Sequence, residues 1–476
     1  MNVSLTALAS TPSTNPLRML RRHWRWLVAA IATVIVADVW VKATATTPTY
    51  DAFGWLVWGR QALNWNLNTN GAPSWKPLTF LFTLPYALAG ASTQLRLWSL
   101  TAAASALGAA LLAGRLAYRI TGDQAPSWAR WLSAAFGTVG ILLIAGYSEL
   151  VLIANSDPLV AMLCLAAIEL HLSGRRGWAF AMLAGAGLGR PEGWAFIALY
   201  AGWLWLVEPR WRLTAVAVTV LVPFTWFVVP GLTSHSWLTA GDLALGSPNV
   251  IHGNKLIGVL QRTREQLPVP YQLAAAGALL YAAAKRQRSW LTLFGAAAMW
   301  VAVEVVFAYH GWSAVPRYLL EPATLLVVIG SAGIGRLAAF ARSSAGLSRW
   351  GAVAVVIALA GGLAPTLHNR PRVAHGEIDD ARRAAATLTN LRSIVSRHGA
   401  ARIRSCGVPV VKLQYQSELA WVLHVNVGTV AWPPKKMVHS KLPIVLFQPH
   451  GEHWSIRAEH IRANTIHACG SLRQQN

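Results

Sequence analysis

Ten long apolar stretches, separated by more polar segments, constrain this chain more than any other feature of its sequence. A helix needs about 20 apolar residues to cross a hydrocarbon core about 30 Å thick. One stretch, 178–207, is too long for a single crossing, and the charged, helix-breaking tetrapeptide Arg190-Pro191-Glu192-Gly193 interrupts it. We therefore expect two short crossings there and about eleven transmembrane helices in all. The other nine stretches are 24–42, 97–117, 130–147, 157–172, 212–230, 269–284, 290–309, 318–335 and 350–366.

The composition agrees with a chain whose solvent is the lipid bilayer. Of 476 residues, 54% are hydrophobic and only 12% are charged, which is far from the average of soluble proteins. The formal net charge is +23, but the Lys and Arg residues form short clusters between apolar stretches instead of one basic face. This spacing argues against a nucleic-acid partner and for membrane lipids with anionic headgroups.

Positive charge alternates along the chain in the manner of a multi-pass protein of the plasma membrane. Short cytoplasmic loops carry the Lys and Arg excess, and here every second loop is basic. Residues 1–23 are therefore expected to be a cytoplasmic segment, and the C-terminus is expected outside. The basic clusters are Arg18, Arg21, Arg22 and Arg25; Arg115, Arg119 and Arg130; Arg175 and Arg176; Arg210 and Arg212; 285–288; and Arg336, Arg342 and Arg349.

An alternative for the first crossing is a cleaved signal peptide. Arg21 and Arg22, an apolar core and Ala43-Thr44-Ala45 imitate its three regions. Cleavage there would leave the topology of the remaining chain unchanged.

The polar region 367–476 predicts a small extracytoplasmic α/β domain after the transmembrane domain, 24–366. Residues 379–398 have the pattern of an amphipathic helix, and the short apolar runs 408–413 and 443–447 are typical of strands separated by turns. The predicted fold class is thus an α-helical polytopic membrane protein with an outer α/β domain.

Two of the three cysteines, Cys406 and Cys469, lie in this outer region. A disulfide persists only in an oxidising compartment, so the bridge depends on the predicted topology. It would contribute roughly 4 kcal/mol in the chain-entropy description. Two free thiols are the alternative.

The first outer loop, 43–96, contains the most unusual polar residues. If residues 51–64 form a helix, Asp51, Trp55 and Trp58 share one face at positions i, i+4 and i+7. Such a helix is expected at the membrane interface, which favours tryptophan. An interfacial helix with an incidental aspartate is the simpler interpretation.

Four segments together resemble the GT-C superfamily of membrane glycosyltransferases, and the resemblance covers residues 24–366. Asp51 follows the first crossing, as the acidic residue of that family does. Trp75-Lys76-Pro77-Leu78 resembles its His/Lys-Pro-Pro-Leu run, although the second proline is missing. The other two segments resemble its Gly-Leu-x-Arg-Pro-Glu-Gly and Arg-Tyr-Leu-x-Pro runs, and here they read Gly187-Leu188-Gly189-Arg190-Pro191-Glu192-Gly193 and Pro316-Arg317-Tyr318-Leu319-Leu320-Glu321-Pro322.

The resemblance implies inverting transfer of a sugar from a polyprenyl-phosphate-linked donor to an envelope glycan, lipid or protein on the outer face. Few lysines and many Ala, Arg and Trp residues look actinobacterial, where decaprenyl-phosphate arabinose and mannose are the usual donors of this superfamily. Such a transfer needs a base for the acceptor hydroxyl and cations for the leaving phosphate.

Asp51 is the candidate general base. Lys76, Arg190 and Arg317 are the candidate phosphate-binding residues, ranked above Arg60 because of their places in the motifs. Each cation has the alternative of an ordinary side chain extending to the membrane surface.

Four further residues are candidates for supporting roles: Asp157, Glu192, His310 and Tyr318. For Asp157, which opens the stretch 157–172, we favour a helix cap. Glu192 can simply pair with Arg190, and His310 can be a polar residue at the end of a crossing. Glu169 and Glu304 fall inside crossings and are expected to face protein or water.

No His, Cys and Asp cluster has the spacing of a metal site, so no cofactor is expected. A divalent cation that bridges carboxylate and phosphate stays open. Two other functions also stay open: a transporter or flippase for a lipid-linked sugar, and a non-catalytic factor of envelope assembly. Loss of Asp51 would be tolerated in both.

The topology can be tested with reporters fused after Asn476, at the end of the chain. We expect high activity of a reporter that matures only in the periplasm, because alternating basic loops from an inside N-terminus end outside. Fluorescence of a cytoplasm-dependent reporter at the same position would contradict the topology.

Overall fold

The computed structural model describes residues 16–71, 73–245 and 247–461, together with Cys469 and Leu472. The helical backbone begins at Pro16, but the side chains of residues 16–23 and 25 lie outside this description. The first basic cluster, Arg18, Arg21, Arg22 and Arg25, therefore lies outside it as well.

The described chain is mostly helical, and its first sixteen helices precede the polar C-terminal region. A 3₁₀ turn, Pro209–Trp211, leads into α10, and another, Pro316–Leu319, leads into α15. The helices are α1 (Pro16–Thr44), α2 (Tyr50–Leu63), α3 (Pro77–Ala87), α4 (Ala91–Thr121), α5 (Ser127–Leu142), α6 (Tyr147–Leu152), α7 (Asp157–Leu172), α8 (Arg176–Gly189), α9 (Gly193–Val207), α10 (Arg212–Thr233), α11 (Thr239–Leu245), α12 (Lys255–Glu265), α13 (Val269–Ala284), α14 (Arg288–His310), α15 (Leu320–Ser343) and α16 (Gly346–Gly362).

Six helical stretches of the described chain are long and apolar enough to cross a membrane, and a seventh crossing results if α12 and α13, bent by 108°, are taken as one. Several other apolar helices have 14 to 16 residues and fall short of this length. The eleven crossings stay a prediction. The six stretches are Trp26–Thr44, Ala91–Thr121, Pro209–Thr233, Arg288–His310, Pro316–Ser343 and Gly346–His398.

The tetrapeptide that interrupts the longest apolar stretch does separate two helices, as the sequence predicts. Helix α8 ends at Gly189 and α9 begins at Gly193. A Cβ added to Gly193 would lie 2.9 Å from the Cα of Gly187, so only glycine allows the two backbones to approach so closely. This close turn holds Arg190 and Glu192 inside the protein.

Helix α15 is the most enclosed helix of the bundle, with α4, α5, α7, α13 and α14 packed around it. Its inner faces carry small residues, among them Gly330, Ala332 and Gly335. Small side chains permit the short distances between helices on which association in lipid depends. The residues just before α15 are thereby fixed at one end of the bundle.

The C-terminal region contains a small mixed sheet beside helices, close to the predicted pattern. Strand β1 is shorter than predicted and β2 is longer. In the order β1-β2-β3, β1 pairs parallel to β2 and β2 pairs antiparallel to β3. The elements are α17 (Ala364–His398), α18 (Ala400–Cys406), β1 (Val408–Val410), α19 (Gln416–Leu423), α20 (Pro434–Val438), β2 (Ile444–His450) and β3 (His453–Glu459).

The structure joins Cys406 and Cys469, the pair singled out from the sequence. Their sulfur atoms are 2.01 Å apart and their Cα atoms 5.7 Å apart. Both residues are buried in the apolar cluster that includes Leu391 and Val395 of α17. The bridge therefore ties the chain after β3 to the end of α18, and both cysteines pack against α17.

Helix α2 is covered by protein. Trp55 and Trp58 are 1% and 0% exposed, and they belong to the same apolar cluster as Leu419 and Leu423 of α19. The expectation of an interfacial helix is corrected in this respect: α2 packs against α3 and α19. The first outer loop and the C-terminal region thus share one core.

The N-terminus of α2 is capped by a side chain from the C-terminal region. Thr49, at the N-cap position, makes no side-chain capping bond. Instead the carboxylate of Glu418 in α19 lies beside the backbone N–H of Tyr50. Burial raises the pKa of Glu418 to about 8, and the charge of Asp51 adds to that shift.

This cap predicts a pH-dependent stability. Because the pKa of Glu418 rises from 4.5 to about 8 on folding, the folded chain binds more protons than the unfolded chain between these values. Its stability therefore falls as the pH rises through this window. The change Glu418→Gln keeps an acceptor for the Tyr50 N–H and removes the titration. We expect a smaller loss of Tm between pH 6 and pH 8.5 than in the wild-type protein, measured by thermal unfolding in detergent.

Glu459, an acidic residue of β3 that pairs with Arg457, provides the matched control. Glu459→Gln should retain the wild-type slope of Tm against pH. An unchanged slope in Glu418→Gln would show that the cap does not control this dependence.

Candidate active site

Asp51 lies in the first turn of α2 and contacts a cation from the other end of the sequence. Its Oδ2 is 2.8 Å from Nη1 of Arg317, which lies in the 3₁₀ turn before α15. The side chains of Asp51 and Arg317 are 18% and 31% exposed. The pair is therefore accessible from the surface while the elements that carry it are fixed.

Lys76, the residue before α3, points at the start of α7. Its Nζ donates to Oγ of Ser156 at 3.0 Å and lies 3.9 Å from Oδ1 of Asp157. The ammonium group is also 5.2 Å from the ring centre of Trp55. Burial lowers the pKa of Lys76 to about 8, although Asp157 opposes that shift. Lys76 is thus a buried ammonium group with only a distant carboxylate.

Arg190 stands at the centre of the cluster, in the turn between α8 and α9. Its guanidinium group donates to the buried carboxylate of Asp157. It also donates to the backbone carbonyl of Arg317 at 3.4 Å and lies over the ring of Tyr318, 4.1 Å from its centre. Through these contacts one side chain connects α7, the turn at 190–192 and the turn before α15.

Two supporting roles can now be compared with their predictions. The helix cap favoured for Asp157 is wrong: Ser156 occupies the N-cap position, and Oδ1 of Asp157 accepts from Arg190. The pairing of Glu192 with Arg190 is confirmed at 3.6 Å. Tyr318 stacks on both Arg190 and Arg317. These contacts place all three supporting residues in the same cluster.

Two predicted site residues lie away from the cluster. Arg60, nine positions along α2 from Asp51, donates to the carbonyl of Trp421 at 3.3 Å and contacts His424 at 3.1 Å. His310 is exposed at the end of α14, with its ring 6.2 Å from that of Trp312. Arg60 therefore fastens α2 to the C-terminal region, and His310 makes no contact that draws it into the cluster.

The structure adds residues that the sequence did not single out. Ser156 holds Lys76, and Glu418 caps the helix of Asp51. Glu321, in the first turn of α15, is 2% exposed. Ser156 directly precedes the candidate Asp157, and Glu321 lies inside the quoted segment 316–322, so their positions were a usable signal. Glu418 had none, because only the tertiary fold brings α19 to α2.

The two acidic residues expected to avoid lipid do so. Glu304 is fully buried, and Glu169 is 6% exposed with Nε of Arg115 at 2.9 Å and Nη1 of Arg119 at 3.1 Å. Within the described ranges, no group of three or more His, Cys, Asp or Glu side chains is arranged to hold a metal ion. The cluster around Asp51 and Arg190 contains carboxylates paired with cations.

No protein-family profile and no curated protein matches this chain. Its fold, in contrast, is similar to solved structures over nearly the whole length. The crystal structure of ArnT from Cupriavidus metallidurans in the apo state has a TM-score of 0.53 and 14% identity, covering 96% of this chain and 100% of that one. The structure of ArnT bound to undecaprenyl phosphate has a TM-score of 0.52 and 14% identity, covering 95% and 99%. At this identity the likeness establishes a shared fold.

Proposed function

We propose that this chain transfers a sugar from a polyprenyl-phosphate-linked donor to a hydroxyl of an envelope glycan, lipid or protein on the outer face of the plasma membrane. The observation that carries the proposal is the contact between Asp51 and Arg317 beside Lys76 and Arg190. It places a carboxylate next to three cations, as transfer from a phosphate requires. The shared fold supports it, because one of the similar solved structures is ArnT bound to undecaprenyl phosphate, which is a polyprenyl phosphate.

Lys76 is the strongest candidate for binding the donor phosphate. Arg190 already donates to Asp157, and Arg317 already contacts Asp51, whereas the nearest carboxylate to Lys76 is 3.9 Å away. A buried cation with an unsatisfied charge gains most from an incoming anion, because little solvent screens the attraction. Arg317, at 31% side-chain exposure, can reach the same phosphate from the surface.

Asp51 is the proposed base in a single inverting displacement. Its carboxylate accepts the proton of the acceptor hydroxyl while that oxygen forms a bond to the anomeric carbon. The bond from this carbon to the phosphate oxygen breaks, and Lys76, Arg190 and Arg317 stabilise the polyprenyl phosphate that leaves. A phosphate that attracts Arg317 would also loosen its contact with Asp51. Donor binding would then free the base at the moment it is required.

The finer assignments rest on the sequence resemblance. It favours a decaprenyl-phosphate pentose or hexose donor of the actinobacterial kind. The C-terminal region, held against α2 by Glu418 and Arg60, is the proposed neighbour of the acceptor, because it adjoins the exposed edge of Asp51. A divalent ion between Asp51 and the phosphate is compatible with this arrangement and is not required by it.

The sharpest test changes Asp51 to Asn. This substitution keeps the size and hydrogen-bonding capacity of the side chain and removes the basic carboxylate, so turnover should fall roughly 10²-fold or more. Membrane level should hardly change. Donor affinity should survive in Asp51→Asn and weaken in Lys76→Ala and Arg317→Ala. The rates are compared in a reconstituted assay, with the donor and acceptor identified from lipid-linked sugars of a deletion strain.

Asp242 provides a matched control, because it also lies in the first turn of an outer-loop helix, while its carboxylate accepts from Ser236 and pairs with no cation among the described residues. Asp242→Asn should keep wild-type turnover. Full turnover in Asp51→Asn would refute the base assignment and favour a transporter or an assembly factor.

Donor binding should also depend on pH through Lys76. Since burial lowers its pKa to about 8, Lys76 loses its positive charge as the pH rises from 7 to 9, and donor affinity should decline over that range. An arginine stays charged there. In Lys76→Arg the decline in donor affinity, measured as KM or by direct binding, should therefore be smaller. An equal decline in both proteins would mean that another group causes it.

A further inference from the structure

A long groove opens on the side of the bundle, and its wide end lies away from the candidate active site. Its wider part has a volume of about 980 Å³ and lies between α13, α15 and α16, next to the connection from α4 to α5. A narrower part of about 400 Å³ continues along α13 and α16. Both parts share the walls Leu273, Val355 and Leu359, so they form one continuous groove.

The groove is apolar and long. Its exposed walls include Leu273, Phe340 and Val355, which are 60%, 52% and 49% exposed. It runs beside α13 from Val269 to Lys285, a rise of about 24 Å at 1.5 Å per residue. One leaflet of a bilayer provides only about half of a 30 Å core. The groove therefore has room for a whole acyl chain.

The wide end of the groove is basic. Lys285, Arg336 and Arg342 line it, and none of the residues that line either part is acidic. The Nε of Arg336 is buried without a hydrogen-bond partner among the described side chains and backbone. A buried donor without a partner is costly unless a ligand satisfies it. An anionic headgroup would supply that acceptor.

The groove is separate from the candidate active site. Arg342 lies 25 residues beyond Arg317 along the turn and helix α15, which corresponds to more than about 30 Å. The basic loops that predict the cytoplasmic side include all three of its cations, and anionic lipids are concentrated in that leaflet.

We propose that this groove binds one anionic glycerophospholipid, with the headgroup phosphate on Lys285, Arg336 and Arg342 and an acyl chain along α13 and α16. The headgroup satisfies the Arg336 donor, and the chain covers the exposed apolar walls. This site is independent of the proposed transfer reaction. It makes the lipid a structural ligand of the helices around α15.

The test measures which lipids the full-length protein retains. The protein is purified in detergent with equal amounts of phosphatidylglycerol and phosphatidylcholine, and bound lipids are counted by mass spectrometry. We expect phosphatidylglycerol to be retained at least about fivefold over phosphatidylcholine, the ratio that the attraction of a single cation to an anionic headgroup produces. Changing Lys285, Arg336 and Arg342 to Gln should bring the ratio close to one.

A steric variant tests the groove without altering its charge. Gly277 lines the wide part, and a Cβ added there meets no atom within 4 Å, so Gly277→Trp fills the groove without a backbone clash. It should release the retained lipid. Gly295→Trp on α14, equally open but outside the groove, should retain it. The charge control changes three cations near the same end that do not line the groove: Arg286, Arg288 and Arg349.

Three outcomes would overturn the proposal. Equal retention of phosphatidylcholine would mean that no headgroup is selected. Unchanged retention in Gly277→Trp would place the lipid elsewhere on the protein. Displacement of phosphatidylglycerol by an equimolar polyprenyl phosphate would assign the groove to a single-chain lipid instead.

Discussion

The site depends on the ion pair between Asp157 and Arg190, whose side chains are 0% and 3% exposed. Burying two charges costs several kcal/mol for each unless partners compensate, so removal of either one should be severe, about 3–5 kcal/mol. Arg190 also holds the backbone carbonyl of Arg317 and the ring of Tyr318. The pair therefore fixes the turn from which Arg317 reaches Asp51, and Asp157 also faces Lys76. A buried contact that the acceptor never touches thus positions the groups that the donor and acceptor would meet.

Helix α2 is likewise held in position by residues that are distant in the sequence, and these residues lie in the C-terminal region. Its tryptophans belong to the apolar cluster of the C-terminal region, its first free N–H lies beside the carboxylate of Glu418, and Arg60 donates to the carbonyl of Trp421. Asp51 is thereby fixed by a part of the sequence more than three hundred residues away. The C-terminal region is a component of the site, because the helix that carries the candidate base is buried against it.

The sequence was most informative where strong local constraints act. Apolar length and the charged tetrapeptide at 190–193 located the helices on either side of that break, and short apolar runs located the strands near 408 and 444. The motifs predicted residues that the structure holds in one cluster: Asp51, Lys76, Arg190 and Arg317. Each of them lies at or beside the end of a helix.

The sequence did not predict contacts between residues that are far apart in the chain. Asp157 looked like a helix cap since capping is the commoner use of an aspartate there, and Glu418 has no local pattern. Arg60 is close to the motifs in the sequence, but it lies at the opposite end of α2 from Asp51.

The length of helix α17 affects how the C-terminal region can move relative to α16. It has 35 residues and follows α16 with only Leu363 between them, which gives a helix of about 52 Å that ends beside β3 and α19 of the C-terminal region. Beyond Pro371 no proline interrupts this helix, so it carries a tilt of that part to its end, and the C-terminal region is not joined to the bundle by a flexible tether. Any change in the inclination of α16 would reach α19, and through it the end of α2. The position of Asp51 would then depend on how the surrounding lipid supports α16.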